Sequence, residues 1–245
     1  MSDIKGYVNK LESFGAVDGP GIRYIIFLNG CRMRCAFCHN PETWAENQGQ
    51  EYTADELLAK ALRFKSYWKN NGGITVSGGE PLLQMDFLLD LFRKAKAKGI
   101  NTCIDTAGQP FTHDEPFYSK WKELMSLTDT VMLDIKNIDS QEHQKLTGVD
   151  NANILEMARE MSDMGVRIWI RHVLVPGGSD NDQLLHRTRE FIDTLKTVDR
   201  VEILPYHSLG VPKYQELGIP YRLDGVSSPS PERIQNAEEI LGVVK

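Results

Sequence analysis

The chain has 245 residues, a formal net charge of −6, 41% hydrophobic residues and 25% charged residues. A chain of this size and composition fills a globular core as one large α/β domain and is not disordered. It has no block of Lys or Arg to form the basic face that nucleic acid needs, and no apolar run nears the roughly 20 residues of a membrane span. The opening stretch, Met1 to Tyr7, lacks the apolar core of a secretory signal, so a cytoplasmic location is expected. In that reducing compartment, four cysteines point to metal binding or catalysis before disulfides.

The first predicted element is a strand over 22–28, rich in β-branched and aromatic residues. Cys31, Cys35 and Cys38 follow it, spaced C-x3-C-x2-C. Three thiolates on a four-iron cluster leave one tetrahedral iron open to bind a small molecule and pass it an electron. Structural zinc, with His39 as fourth ligand, shares the composition. Zinc sites normally use two separated pairs, though, and a neighbour of Cys38 reaches the same metal only under strain. A disulfide with a spare thiol and plain buried cysteines are the remaining readings. Thr53 then opens a helix, with Glu56 as its capping-box partner and Leu57, Leu58, Ala61, Leu62 and Phe64 at helical spacing. A strand over 73–77 precedes a helix over 86–98 that stops at Gly99. Next come a strand over 101–105, a helix near 117–127 and a strand over 130–135. Helical pattern covers 153–164 and ends at Gly165. A strand over 166–175, a helix over 180–195, a strand over 200–204 and a helix over 231–241 complete the chain. Repeats, low-complexity tracts and dividing linkers are absent.

Six strands alternating with helices predict parallel βαβ units with right-handed crossovers. Polar residues recur where the strands end: Gly78-Gly79-Glu80, Asp105-Thr106, Asp134-Ile135-Lys136, Arg171 and Tyr206-His207. An open sheet concentrates its chemistry at one crevice, whereas a parallel barrel collects it around the C-terminal rim of the strands. Five contributing strands favour a barrel, and six units favour a partial one. The expected fold is therefore α/β, a partial (β/α)6 TIM-like barrel, as one domain over 1–245 with its core at roughly 17–240. Residues two apart share a strand face, so Asp134 points with Lys136 and Cys103 with Asp105. Cys103 then lies about 6–7 Å deeper than Asp105, as core filler and not as a ligand.

The strings Val17-Asp-Gly-Pro-Gly-Ile-Arg23, Gly30-Cys31, Cys35, Cys38 and Asn40, Ser77-Gly-Gly-Glu80, Val131-Met-Leu-Asp-Ile-Lys136 and Leu204-Pro-Tyr-His207 occur in this order. They resemble the signature of the radical S-adenosylmethionine activases of glycyl-radical enzymes, closest to the branch acting on pyruvate formate-lyase, over nearly the whole chain. The resemblance implies the radical SAM fold and a [4Fe-4S] cluster on Cys31, Cys35 and Cys38. It implies S-adenosylmethionine chelating the open iron, with one electron from reduced flavodoxin or a similar donor splitting the sulfonium. A 5′-deoxyadenosyl radical then removes a hydrogen from a backbone glycine of the partner, pyruvate formate-lyase. The cofactor carries this chemistry, and the barrel orients it.

Residue by residue, the resemblance places Gly79 at the methionyl amino group and Phe37, Cys38 and His39 against the adenine. Asp134, Ile135 and Lys136 match a cofactor-contacting segment, the Lys136 ammonium meeting the cofactor carboxylate. His207 matches a residue near the ribose, and Arg171 one lining the same cavity. Asp105, Thr106, Met132 and Asp134 match a monovalent-cation site, whose oxygens suit a hard ion. The bland alternatives are a loop turn for Gly78-Gly79, core packing for Phe37, solvated rim residues for Lys136, Arg171 and His207, and loop hydrogen bonds for the two aspartates. His113, His143, His172 and His186 receive no role. Four cysteines leave no room for the inserted ferredoxin-like clusters of other activases. The rival readings are an activase of another glycyl-radical enzyme, a small-molecule enzyme of the deazaguanine synthase kind sharing Gly-Gly-Glu-Pro81, and a non-catalytic metal-binding module. A monomer is expected, with a mobile segment within 46–52 or 206–218 that admits the partner's loop.

Overall fold

A computed structural model describes residues 4–69 and 71–243; the start of the opening stretch, Met1 to Asp3, lies outside them. Eight strands occur among the described residues, hydrogen-bonded in the order β3-β1-β2-β4-β5-β6-β7-β8. They are β1 (Lys5–Gly15), β2 (Arg23–Leu28), β3 (Gln50–Thr53), β4 (Gly73–Gly78), β5 (Asn101–Thr106), β6 (Thr130–Asp134), β7 (Ile168–Leu174) and β8 (Val198–Pro205). The six strands expected from the sequence are β2 and β4 to β8, each within about two residues of its predicted bounds. β1 and β3 are additions at one edge; β1 runs antiparallel to both β2 and β3, whereas β2-β4, β4-β5 and β7-β8 are parallel. The chain forms two compact units, Met1–Cys31 with Thr43–Met132 and Arg32–Glu42 with Leu133–Lys245.

In the first unit, α1 (Ala54–Leu62) starts at Thr53, which makes the reciprocal capping box with Glu56 that the sequence predicts. α2 (Met85–Ala97) buries Phe87, Leu88, Leu91 and Phe92 on one face. Burial of each such side chain is worth about 1.5–3 kcal/mol. α3 (Phe117–Ser126) contributes Trp121, which is fully buried. Gly6 of β1 lies against Phe87, where an added Cβ would come 2.4 Å from the ring. Cys103 is 0% exposed, the core filler that strand alternation predicts.

Arg23 at the start of β2 is also 0% exposed. Its guanidinium donates to Thr75 Oγ1 at 3.0 Å, Asn101 Oδ1 at 2.7 Å, the Pro20 and Asn71 carbonyls at 3.2 Å each, and the Ile74 carbonyl. Neutral acceptors, not a carboxylate, thus satisfy this buried cation. Thr75 in turn donates to the Asp18 carbonyl at 2.6 Å. The Asp18-Gly-Pro-Gly-Ile-Arg23 string is therefore a packing device: it fastens the lead-in of β2 to β4 and β5.

In the second unit, α4 (Ser140–Thr147) is capped by Asp139 and closed by Gly148 at φ 88°. α5 (Ala152–Asp163), α6 (Asp182–Asp193) and α8 (Pro231–Leu241) match the predicted helices. The short α7 (Val211–Glu216) follows β8. Of the two stretches within which a mobile segment is expected, 46–52 runs into β3 and 206–218 contains α7. His143 and His172 are buried, and each makes a ring-nitrogen hydrogen bond to a backbone carbonyl, Val149 and Ile135 respectively, as core histidines do.

Candidate functional site

The first unit fixes the approach to Cys31 through backbone contacts. Gly30 N donates to Thr43 O at 2.7 Å and Cys31 N to Trp44 O at 3.1 Å. The Gly78-Gly79 turn after β4 closes on the same stretch. Gly79 N donates to Leu28 O at 2.8 Å, and Glu80 N to Gly30 O at 2.7 Å. A Cβ on Gly79 would stand 2.3 Å from Gly30 O, and one on Gly78, at φ 123°, 2.2 Å from Leu28 O. Glycine is needed here so that two backbones can touch.

Glu80, to which sequence reasoning gave no role, organises the next strand end. It is 1% exposed and accepts from Thr106 Oγ1 at 2.6 Å, Ala107 N at 3.0 Å and Leu82 N at 3.1 Å. Burial pushes its carboxyl above the ordinary range, against the pull of those donors. The signal available was an acid in an otherwise apolar turn. Thr106 Oγ1 also accepts from Gly108 N at 2.9 Å, and Asp105 Oδ2 accepts from Ser77 Oγ at 2.7 Å. Met132 is fully buried. The unit thus brings Gly78 and Gly79, at the end of β4, together with Asp105 and Thr106, at the end of β5.

In the second unit, Arg32–Glu42 lies along the end of α4. Arg34 N donates to Thr147 O at 2.7 Å, and Ala36 N to Leu146 O at 2.8 Å. Cys38 N closes a turn onto Cys35 O at 3.1 Å. Phe37 is buried, and the Lys136 ammonium sits 5.2 Å from its ring centroid. Lys136 itself, two residues beyond the end of β6, is 7% exposed and pairs with Asp134 Oδ2 at 2.9 Å, so the two side chains meet and Lys136 is not solvated. Burial opposes ionisation of Asp134, but the Lys136 and Arg171 charges prevail and hold its carboxyl below the usual range. Ile135 is buried and its N–H donates to the Arg171 carbonyl at 3.0 Å.

His39 and His207 stack, with centroids 4.1 Å apart and planes 18° apart, and His39 Nε2 donates to His207 O at 3.2 Å. Burial holds the His39 imidazolium pKa below its ordinary value. Lys213 on α7 reaches Asn40 Oδ1 at 3.0 Å and also pairs with Glu42. Arg222 donates to the Arg34 carbonyl at 2.9 Å and to the Lys145 carbonyl. These two cations had no role in the sequence reading, because each is separated by well over a hundred residues from the loop it secures.

The donor chemistry fits an iron–sulfur cluster. Cys31, Cys35 and Cys38 are partly exposed and in no disulfide among the described residues, whereas Cys103 is buried. Burial pushes the Cys35 thiol up to about 11, with Lys136 pulling the other way; such a thiol becomes a thiolate when a metal replaces its proton. Two buried polar atoms, Asp134 Oδ1 and His207 Nδ1, have no hydrogen-bond partner among the described residues. Orphaned polar atoms of this kind suit a ligand bearing amino and hydroxyl groups.

The Radical SAM superfamily profile matches residues 25–191. The pyruvate formate-lyase-activating enzyme of Streptococcus mutans is 52% identical over 240 residues, 97% of this chain and 91% of the relative. The chain belongs to the pyruvate formate-lyase-activating enzyme family. The member from Staphylococcus epidermidis is 50% identical, over 96% of this chain and 94% of its own. A crystal structure of a domain of the Bacteroides vulgatus family member superposes with a TM-score of 0.57 at 27% identity, covering 70% of this chain and 93% of that domain. The α/β class and the partial (β/α)6 barrel expected from the sequence are those of the radical SAM fold, which this family shares. Its members are radical SAM enzymes that use a [4Fe-4S] cluster and S-adenosylmethionine, and the three motif cysteines are present.

Proposed function

We propose that this protein activates pyruvate formate-lyase by placing a radical on one of its backbone glycines. The observation that carries this reading is the set of three motif cysteines, outside any disulfide, on a loop fastened at Gly30 and Cys31 by backbone hydrogen bonds, in a chain about half identical to named activating enzymes over nearly its full length. In this reading Cys31, Cys35 and Cys38 hold the [4Fe-4S] cluster, and 1–245 works as one domain. When bound, the cluster would supply the electron for reductive cleavage of S-adenosylmethionine, the chemistry that lets a hydrogen be taken from the partner's glycine.

The protein's own residues bind and orient. Gly79 leaves backbone exposed for the methionyl amino group. The buried Lys136 ammonium attracts the cofactor carboxylate, and Asp134 keeps that ammonium in place at 2.9 Å. Phe37, Cys38 and His39 form the adenine side, with Ile135 and Arg171 lining the cavity and His207 at the ribose. The His39–His207 stack fixes the orientation of both rings. Asp105, Thr106, Met132 and Asp134 offer oxygens to a monovalent cation, a role in which Asp105 must share its carboxylate with Ser77. Reduced flavodoxin or a similar protein donates the electron to a monomeric activase. A thiol-ligated, electron-accepting centre suits the reducing cytoplasm, and no helix among the described residues is long and apolar enough to cross a membrane.

The test is anaerobic reconstitution with iron and sulfide, reduction, and addition of S-adenosylmethionine and pyruvate formate-lyase. A glycyl radical signal by electron paramagnetic resonance is expected, with Cys31→Ala, Cys35→Ala and Cys38→Ala each abolishing it. A zinc-filled centre, or release of no deoxyadenosine, overturns the reading. Unchanged monovalent-cation dependence in Asp105→Ala overturns the cation assignment alone.

A further inference from the structure

His172 differs from the other buried histidine, His143, in facing a carbonyl oxygen with each ring nitrogen. Its Nδ1 stands 2.7 Å from Ile135 O and its Nε2 3.1 Å from Ser179 O. On β7 it shares a face with Ile168, Ile170 and Leu174, all 0% exposed, and lies on the opposite face from Arg171. An apolar side chain would suit that face, whereas a polar ring there is costly unless its hydrogen bonds are made. Regular pairing of β6 ends at Asp134. One residue on, Ile135 N–H still donates to Arg171 O at 3.0 Å, and the Ile135 carbonyl is held by the His172 ring. That carbonyl and the Lys136 N–H belong to one planar peptide, so holding it fixes the direction in which Lys136 leaves the strand. The far side of the ring is braced as well. Ser179 N donates to Val175 O at 3.0 Å, and Val175 N donates to Ser179 Oγ at 2.9 Å.

We infer that His172 is a positioning residue: by holding the Ile135 carbonyl through Nδ1–H, it aims Lys136 and so sets the affinity of the site for the carboxylate of S-adenosylmethionine. The inference rests on the reading that Lys136 meets that carboxylate. Burial holds the imidazolium pKa below its ordinary value, so near neutral pH the ring carries a single N–H. The shorter contact decides where it sits, because a bare Nδ1 would turn its lone pair on Ile135 O at 2.7 Å. The longer contact, to Ser179, is the one left without a proton. The effect on Lys136 passes through the main chain of Ile135, and the ring exchanges no proton in this role.

The experiment measures calorimetric binding of S-adenosylmethionine to anaerobically reconstituted, unreduced wild type, His172→Asn and His172→Gln, matched for iron content. The side-chain amide of Asn takes the place of Nδ1, and that of Gln the place of Nε2. His172→Gln is expected to bind about tenfold more weakly than wild type, and His172→Asn within about twofold of it. In glycyl radical formation, His172→Gln raises KM for S-adenosylmethionine to the same degree and leaves kcat within about twofold. A residue that merely fills the core predicts the reverse order, since Asn leaves the larger cavity. Wild-type affinity in His172→Gln, or His172→Asn as weak as His172→Gln, overturns the inference. Sequentially assigned 15N spectra of the wild-type chain before iron is added test it without any variant. A protonated Nδ1 on His172 is expected, and a bare Nδ1 overturns the inference even if neither variant folds. None of these outcomes alters binding or glycyl radical formation by the wild type, so the activase reading stands. Reconstituted wild type that binds no S-adenosylmethionine removes both.

Discussion

The approach to Cys31 is held by backbone, whereas the stretch carrying Cys35 and Cys38 is held largely by side chains. Gly30, Cys31, Gly79 and Glu80 all donate main-chain hydrogen bonds there, and the Gly78-Gly79 turn has no space for a single methyl group. In the second unit two main-chain bonds to the end of α4 are joined by Lys213 on Asn40 and Glu42, Arg222 on Arg34, and the His39–His207 stack. Backbone contacts of the first kind tolerate no sequence change. Partly exposed side-chain contacts of the second kind are individually weak and adjustable. The arrangement gives a fixed origin for the loop and a tunable far end.

Substitutions should separate the two regions. Arg23→Met leaves the acceptors of a fully buried guanidinium unpaired and is expected to cost about 4 kcal/mol in urea unfolding of the apo chain. Gly79→Ala drives a Cβ into the Gly30 carbonyl and should cost about 3 kcal/mol, with iron uptake lost. Gly165→Ala is the control in the second unit, because nothing lies near its Cβ and only the positive φ of 79° opposes it, a cost of about 1 kcal/mol. Cys103→Ala should cost about 1 kcal/mol and leave iron binding at the wild-type level by metal analysis. Lys213→Ala should change stability by only about 0.5 kcal/mol while raising hydrogen exchange over 206–218. A Lys213→Ala loss as large as that of Gly79→Ala would erase the contrast.

Much of this was legible in the sequence because local rules and tertiary packing agree. The Thr53–Glu56 capping box and the Gly99 stop after α2 are local signals that the fold keeps. β1 escaped because only Gly6, Val8 and Gly15 of its residues are fully buried, so its pattern reads as polar. β3 is four residues long with none fully buried, too short for a periodicity. α4 has a polar sequence, Ser-Gln-Glu-His-Gln-Lys-Leu-Thr, although Asp139 and Gly148 mark its ends. At the site, the cysteine spacing was plain, but Glu80, Lys213 and Arg222 act on residues far away in the chain, which spacing cannot report.

Arg23 also carries a consequence for how the protein is made. Its guanidinium finds acceptors on Pro20, Asn71, Ile74, Thr75 and Asn101. A nascent chain truncated before Asn101 would have to bury that charge with its donors incompletely matched. The first unit is therefore expected to reach its full stability only once β5 has been made.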